Sequence, residues 1–298
     1  MNLPKVSVPK VKTIKAKLAS AKLLGIVVKN SLQFKLRRQA LRRFKATEFD
    51  TIVVDMDGTL YKSDANLEAL KVFYPESENG IVKGEELYDS ILSKIASGTY
   101  NVEQAIVEGN KLLMEKNIHK KDFPKVLEKL KPGLRKPLIR SLKKMKKAGK
   151  TLILATLSSR EFGELLNKYL EKKFDFSFDI LVGTQLEYDE NGKITGVKSM
   201  VGTKDTEYEK IPVKSKLTAI RNALEEQGKK LDLQKSILIT DSYSDIDLAK
   251  MFVTVLIQPT KSTTPQKVSQ RLKLADYIFP EKYLQTNLES IILGPELE

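Results

Sequence analysis

Short apolar runs alternate along this chain with longer stretches in which apolar positions recur every three or four residues. Residues 51–54, 151–155, 180–183 and 236–239 are β-branched or aliphatic almost throughout, the pattern of strands buried on both faces of a sheet. Residues 252–257 form the last clear run of this kind. Residues 186–197 read as a hairpin around Asp189-Glu190-Asn191-Gly192-Lys193, because Asn-Gly readily takes the positive φ angles of a tight turn. Helical spacing marks 136–147, closed by Ala148-Gly149-Lys150, then a segment beginning near Glu161, then 216–227, then a helix ending at Met251. Strands that alternate with helices predict an α/β fold, a parallel sheet joined by right-handed crossovers.

Between the first and second strands the pattern changes. Residues 63–131 read as helical at 67–73, 85–96, 102–115 and 123–130, punctuated by Pro75, Gly80, Gly98 and Pro124. No strong strand interrupts them, so this stretch reads as a helical insertion that ends at Pro132-Gly133. Ahead of the first strand, residues 1–47 behave differently again. Pro4 and Pro9 keep their start irregular, and Ile14, Leu18, Ala21, Val28 and Leu32 then fall on one helical face among lysines.

Charge separates this arm from the rest. It holds 13 of the 52 basic residues and no acidic one, leaving 39 basic against 38 acidic side chains elsewhere. The net charge of +14 therefore belongs to the arm and says nothing about a site in the nearly neutral remainder. The apolar run 23–28 is far shorter than the roughly 20 residues that span a bilayer. The arm suits attachment to an anionic membrane surface, or a solvated basic extension, with nucleic acid the weakest of the three readings. A cytoplasmic protein, peripheral at the membrane if the arm attaches, is the expectation. Cysteine is absent and His119 is the single histidine, which excludes disulfides, thiolate chemistry and histidine-rich metal sites. His119, beside two lysines, reads as a surface residue at a helix end. Chemistry here must come from carboxylates, lysines and hydroxyls.

Those groups gather where strands end. The first strand runs into Asp55-Met56-Asp57-Gly58-Thr59, the second into Thr156-Leu157-Ser158-Ser159, and the fourth into Thr240-Asp241-Ser242-Tyr243-Ser244-Asp245. In a parallel sheet all three clusters share one edge, the edge where open α/β sheets place their sites. A carboxylate such as Asp55 can take a phosphoryl group, a second such as Asp57 can move the leaving group's proton, and a hard cation can offset the like charges. Lys216 begins a helix whose apolar face continues through Leu217 and Ile220; Lys214, two residues earlier, is the competing cation. Gly58 permits a turn whose amides, with Thr59, can face an anion.

This combination, in this order, resembles the haloacid dehalogenase superfamily of phosphohydrolases, whose pattern is Asp-x-Asp-x-Thr, a hydroxyl after a strand, a lysine, and Asp-Ser-x-x-Asp after a strand. The resemblance covers about residues 48–260. Asp241-Ser242-Tyr243-Ser244-Asp245, the hairpin ending Ile194-Thr195-Gly196 and the helical insertion make the phosphoserine-phosphatase-like branch the nearest. It implies a Rossmann-like, three-layer core at 48–62 and 132–280, a helical cap at 63–131, the arm at 1–47 and a tail at 281–298. It further implies a Mg²⁺-dependent phosphatase acting on a small phosphorylated metabolite through an aspartyl phosphate. Asp55 and Asp57 would be catalytic. Gly58, Thr59, Thr156, Ser158 and Lys216 would bind phosphate. Asp55, Asp57 (through its backbone carbonyl), Asp241 and Asp245 would hold the metal, Asp245 either directly or by orienting other groups.

Two features depart from the pattern. Thr240 stands where a glycine usually precedes the first Asp of the fourth motif. No arginine occurs from 61 to 131, which argues against a phosphoserine substrate, whose carboxylate favours a bidentate guanidinium. Asp64 is a further residue that could face substrate from the insertion. A phosphotransferase on the same scaffold, or a non-catalytic module held at a membrane surface, are the alternative readings.

Overall fold

The computed structural model describes residues 49–78, 80–242, 245–257, 275–279 and 284–293. The basic arm, and with it the membrane-attachment reading, lies outside the described residues, as do Tyr243 and Ser244.

Strand β1 (Thr51–Asp55) lies in the middle of a nine-stranded sheet, and every one of its residues is buried. Strands β4 (Thr151–Ser159) and β9 (Ser236–Thr240) flank it in parallel, pairing Thr51 with Thr151 and with Ser236. Beyond β9 follow β10 (Val253–Ile257) and β11 (Tyr277–Phe279), both parallel. Beyond β4 comes β5 (Ile180–Tyr188), also parallel. The sheet therefore grows in one direction from β1 through β4 and β5, and in the other through β9, β10 and β11. The crevice at such a reversal is where ligands bind in open α/β sheets.

Alternate residues of the central strands feed two hydrophobic layers. Ile52, Val54, Leu152, Leu154, Ile237 and Ile239 pack on one face with helices α5 (Lys136–Lys147), α6 (Arg160–Phe174) and α9 (Leu284–Ile292). Val53, Ile153 and Leu238 pack on the other with Ile220 and Leu224 of α7 (Lys216–Glu225) and Leu248 of α8 (Ile246–Met251). Burying such a side chain contributes roughly 1.5–3 kcal/mol, which is why three uninterrupted apolar strands set the position of everything at their ends.

Several elements differ from the sequence expectation. β4 does not stop at Ala155 but continues through Ser159, its register against β5 shifting between Ala155 and Ser159. The Thr184 hydroxyl donates to the Leu157 carbonyl at 2.9 Å across that irregularity. The expected third strand and the first arm of the hairpin are one continuous strand, β5, which pairs antiparallel with β6 (Ile194–Gly202). Strands β7 (Thr206–Tyr208) and β8 (Ile211–Ser215) extend that edge, and β11 extends the other. Strands of three to five residues carry too little alternation to announce themselves; pairing partners create them. Residues expected as a tail include α9, whose Leu284, Leu288 and Ile292 are buried.

The insertion is helical, as expected: α1 (Ala65–Phe73), α2 (Lys83–Ala96), α3 (Val102–Glu115) and α4 (Phe123–Leu130), with one small hairpin of β2 (Ser77–Glu78) and β3 (Ile81–Val82). Its two connections to the sheet run side by side, the Lys62 amide donating to the Gly133 carbonyl and the Arg135 amide to the Leu60 carbonyl, each at 3.0 Å. It docks on the β5–β6 hairpin, where the Lys120 amide meets the Gly192 carbonyl at 2.8 Å. His119 belongs to this docking surface, its Nδ1 lying 3.2 Å from the Asn191 carbonyl, away from the strand ends. Among the described residues no helix is long and apolar enough to cross a membrane.

Candidate active site

Asp55 is the last residue of β1 and is 5% exposed. Lys216, also 5% exposed, is the first residue of α7, a helix whose start is set by Ser215 accepting from the Thr218 amide at 3.2 Å. A cation at a helix N-terminus opposes the helix dipole. Two carboxylates offset that: the Lys216 Nζ donates to Asp55 Oδ1 at 2.8 Å and to Asp245 Oδ1 at 2.6 Å. Asp245 Oδ2 accepts from the Thr240 hydroxyl at 2.7 Å. Both oxygens of Asp245 are thus engaged, one by Lys216 and one by Thr240. Thr240, the residue in place of the usual glycine, supplies that second bond and also accepts from the Ser242 amide at 3.0 Å. Lys214 is exposed, its Nζ 2.6 Å from the end of the Asn222 side-chain amide, whose oxygen accepts from it once the amide is turned over.

Thr59 ties the other side together. Its hydroxyl oxygen lies 3.4 Å from Asp55 Oδ2 and 3.2 Å from Asp241 Oδ1, and accepts from the Asp241 amide at 2.9 Å. Asp55 and Asp241 therefore stand within reach of one hydroxyl. Gly58 makes room for this. Its φ is +72°, and a Cβ there would lie 2.3 Å from Asp241 Oδ2. The Gly58 carbonyl accepts from Arg135 Nη2 at 3.0 Å.

Asp57 is held by four donors. Oδ1 accepts from the Tyr61 hydroxyl at 2.5 Å and the Ala65 amide at 2.7 Å. Oδ2 accepts from Thr156 at 3.1 Å and Ser158 at 2.7 Å. The structure brings Thr156 and Ser158 to the site, yet turns both hydroxyls to Asp57 and not into open space; each must rotate its O–H to donate to another anion. Asn66 of α1 donates to the Ser158 hydroxyl at 3.1 Å, which links the insertion to the sheet edge. Asp64 caps α1 through the Asn66 and Leu67 amides.

Burial pushes the Asp55 carboxyl well above the usual carboxylate range, Lys216 opposes this, and Asp245 and Asp241 add to it. Burial works against the Lys216 ammonium, but Asp245 and Asp55 together hold its pKa above the ordinary lysine value, so it stays protonated. Burial and then Asp57 push Asp64 up to about 7.

Among the described residues no three acidic or imidazole side chains converge into a ready-made metal cage. Of the expected set, Asp55 and Asp241 lie within reach of one hydroxyl, Asp245 meets Lys216 and Thr240, and the Asp57 side chain faces its four donors. The fit to Mg²⁺ is nonetheless good in chemistry. Mg²⁺ takes oxygen ligands, is bound through one or two carboxylates and keeps several waters. A dication between Asp55 and Asp241 would also relieve the repulsion that raises the Asp55 pKa.

Sequence reasoning missed Arg135, Tyr61, Asn66 and the role of Thr240. Arg135 had a readable signal: it is 1% exposed and lies four residues before Ile139 on the stripe Leu134, Leu138, Ile139, Leu142, where a charge is out of place. Tyr61 and Asn66 had none, since only the folded chain returns them to Asp57 and Ser158.

Residues 52–250 match the haloacid dehalogenase-like hydrolase family, and the chain belongs to it. No curated protein matches the chain by sequence. Among solved structures, a HAD family hydrolase from Salmonella enterica serovar Typhi superposes with a TM-score of 0.61 at 12% identity, covering 89% of this chain and 81% of that one. A protein of unknown function from Bordetella pertussis Tohama I gives 0.56 at 16% identity, covering 78% and 99%. A phosphoserine phosphatase, solved as a phospho-aspartyl intermediate analogue, gives 0.52 at 17%, covering 78% and 93%. The fold is one that a phosphoserine phosphatase shares.

Proposed function

We propose that this chain is a Mg²⁺-dependent phosphomonoester hydrolase that works through an aspartyl phosphate on Asp55. The observation that carries this reading is the Lys216 ammonium, buried between Asp55 and Asp245 at 2.8 and 2.6 Å, at the edge where Asp57 and Asp241 also arrive. The resemblance to a phosphoserine phosphatase captured as a phospho-aspartyl analogue supports it.

Asp55 attacks phosphorus, and the bond from phosphorus to the leaving oxygen breaks. Asp57 gives that oxygen its proton, then takes one from the water that attacks the aspartyl phosphate, returning Asp55 and releasing phosphate. Tyr61 and the Ala65 amide hold Oδ1 of Asp57 in place for both transfers, which leaves Oδ2 to carry the proton once Thr156 and Ser158 turn to the phosphoryl group. Lys216 neutralises Asp55 and the phosphoryl oxygens, and Asp245 with Thr240 keeps its ammonium aimed. The amides of the Gly58 turn, the Thr59 hydroxyl, and Thr156 and Ser158 after rotation supply donors to the phosphoryl group. Asp55, Asp241 and the Asp57 backbone carbonyl would hold Mg²⁺, which would supply charge neutralisation. Residues 63–131 act as a cap over a core formed by 48–62 and 132–280, excluding water and reading the leaving group.

The test is a phosphatase screen over phosphorylated small molecules with Mg²⁺, run beside Asp55→Asn. The variant should lose at least about 10³-fold in kcat while its melting temperature stays within a few degrees, in keeping with loss of a nucleophile. Full activity in Asp55→Asn sinks the mechanism. Transfer of phosphate to added alcohols in preference to water would recast the enzyme as a phosphotransferase.

A further inference from the structure

A cavity of about 820 Å³ runs from Asp55, Asp57 and Lys216 into the helical insertion. Ser158, Asn66 and Asp64 line it, and most of the remaining wall is apolar, including Leu67 of α1, Ile91 and Ile95 of α2, and Ile106 and Leu113 of α3. These five side chains are only half-buried. Helix α2 shows the consequence most plainly. Leu87, Ile91 and Ile95 recur every four residues along one face, yet Gly84 is its one buried residue, and Leu92, also on the cavity wall, is 43% exposed. A 14-residue amphipathic helix ordinarily buries such a stripe against its own domain. Here Ile91 and Ile95 of that stripe line space that is continuous with the catalytic carboxylates.

The charges along the wall narrow what can fill it. Beyond the catalytic groups, Asp64, Glu68, Glu85 and Asp89 line the cavity, against Lys62 and Lys71. Glu68 is already matched by Ser63 at 2.7 Å and Lys71 at 3.6 Å. A leaving group with a carboxylate or second phosphate meets acidic groups there, and no arginine of residues 61–131 receives it. A compact ammonium would suit the acidic groups but leave most of the aliphatic wall wet, in a cavity at the upper end of the roughly 300–1,000 Å³ usual for small-molecule sites.

We infer that the leaving group is a long, uncharged aliphatic chain, so that the substrate is a single-chain amphiphilic phosphomonoester with its phosphate at Asp55 and its chain between α1, α2 and α3. This rests on the hydrolase reading given above and names its substrate class. The basic residues 1–47 fit the same class, because amphiphilic phosphomonoesters form anionic surfaces.

The test uses the full chain with Mg²⁺ and n-alkyl phosphates from ethyl to decyl, kept below micelle-forming concentrations, beside phosphoserine and phosphocholine. The value of kcat/KM should rise about fourfold per methylene, the transfer value of a buried CH₂, until the cavity is filled. Ile91→Glu and Ala105→Phe should flatten that rise while leaving ethyl phosphate turnover unchanged, since neither residue touches the reacting groups. Binding of the matching alkylphosphonates, whose C–P bond is not hydrolysed, should follow the same chain-length trend by calorimetry. Turnover of ethyl phosphate or phosphoserine with a flat chain-length profile overturns the inference and leaves the hydrolase reading standing. A tenfold preference for phosphocholine over decyl phosphate overturns it as well. Chain-length-dependent phosphonate binding without turnover of any phosphomonoester supports the cavity assignment and removes the hydrolase reading. Neither binding nor turnover removes both.

Discussion

Replacing Gly58 by alanine separates two effects that usually travel together. Gly58 has φ +72°, so any side chain there pays the left-handed backbone cost of about 1–2 kcal/mol. Gly149, at the end of α5, has φ +78° and nothing within 4 Å of its Cβ position, so Gly149→Ala carries the backbone cost alone. At Gly58 the new Cβ would also stand 2.3 Å from Asp241 Oδ2 and 2.7 Å from its Cγ and Oδ1. The carboxylate must retreat by roughly 1 Å, a misplacement that can cost about 10²-fold in rate at a reacting site. Both variants should melt about 2–8 °C below the wild type in EDTA, from the same backbone penalty. Mg²⁺ should raise the melting point of the wild type and of Gly149→Ala but much less that of Gly58→Ala. In a phosphatase assay with titrated Mg²⁺, Gly58→Ala should lose about 10²-fold in kcat/KM and need at least about tenfold more Mg²⁺. Gly149→Ala should stay within about twofold of wild type. A Gly58→Ala enzyme with normal Mg²⁺ response and only the stability loss of Gly149→Ala refutes the placement of Asp241 at the metal.

Two further outcomes follow from buried charges. Lys216→Met strands Asp55 and Asp245 without their cation and should cost about 3–5 kcal/mol in urea unfolding and nearly all activity, whereas exposed Lys214→Met should change stability by less than about 0.5 kcal/mol; loss of activity in Lys214→Met alone would reverse the assignment. Burial raises the Glu161 pKa above its ordinary 4.5. Its contribution to stability is therefore full below about 4.5 and is lost as pH rises through the raised value. Glu161→Gln, which keeps an oxygen for the Leu186 amide now bound at 3.2 Å, should be the more stable protein at pH 7 and show a smaller decline from pH 4 to 7. Parallel urea midpoints for the two proteins across that range would expose the error.

The chain's own order of residues determined a good deal. Three uninterrupted apolar runs must be buried on both faces, and that alone places Asp55, Thr156 and Asp241 on one edge. Helices α3, α4 and α5 have the bounds their periodicity marks, because capping groups and proline act locally: Asn101 with Gln104 in a capping box, Pro124 and Pro137 in first turns. The choice between Lys214 and Lys216 was also half legible, since Leu217 and Ile220 continue one face from Lys216.

Tertiary structure decided what depends on two distant segments meeting. Thr240 looked like a departure from a motif, and only its 2.7 Å bond to Asp245 makes it a part of the lysine's support. Asp245 could be a ligand or an orienting group by sequence; only the fold brings it within 2.6 Å of Lys216 from a different helix. Thr156 and Ser158 were assigned to phosphate, and the fold turns both to Asp57 because β4 continues past Ala155 and carries them alongside it. The half-covered stripe of α2 is an ordinary amphipathic helix in one dimension. Its apolar face becomes a cavity wall only because the insertion leaves space between α2 and the aspartates, and the size of a space is set by packing between segments, which no local pattern encodes.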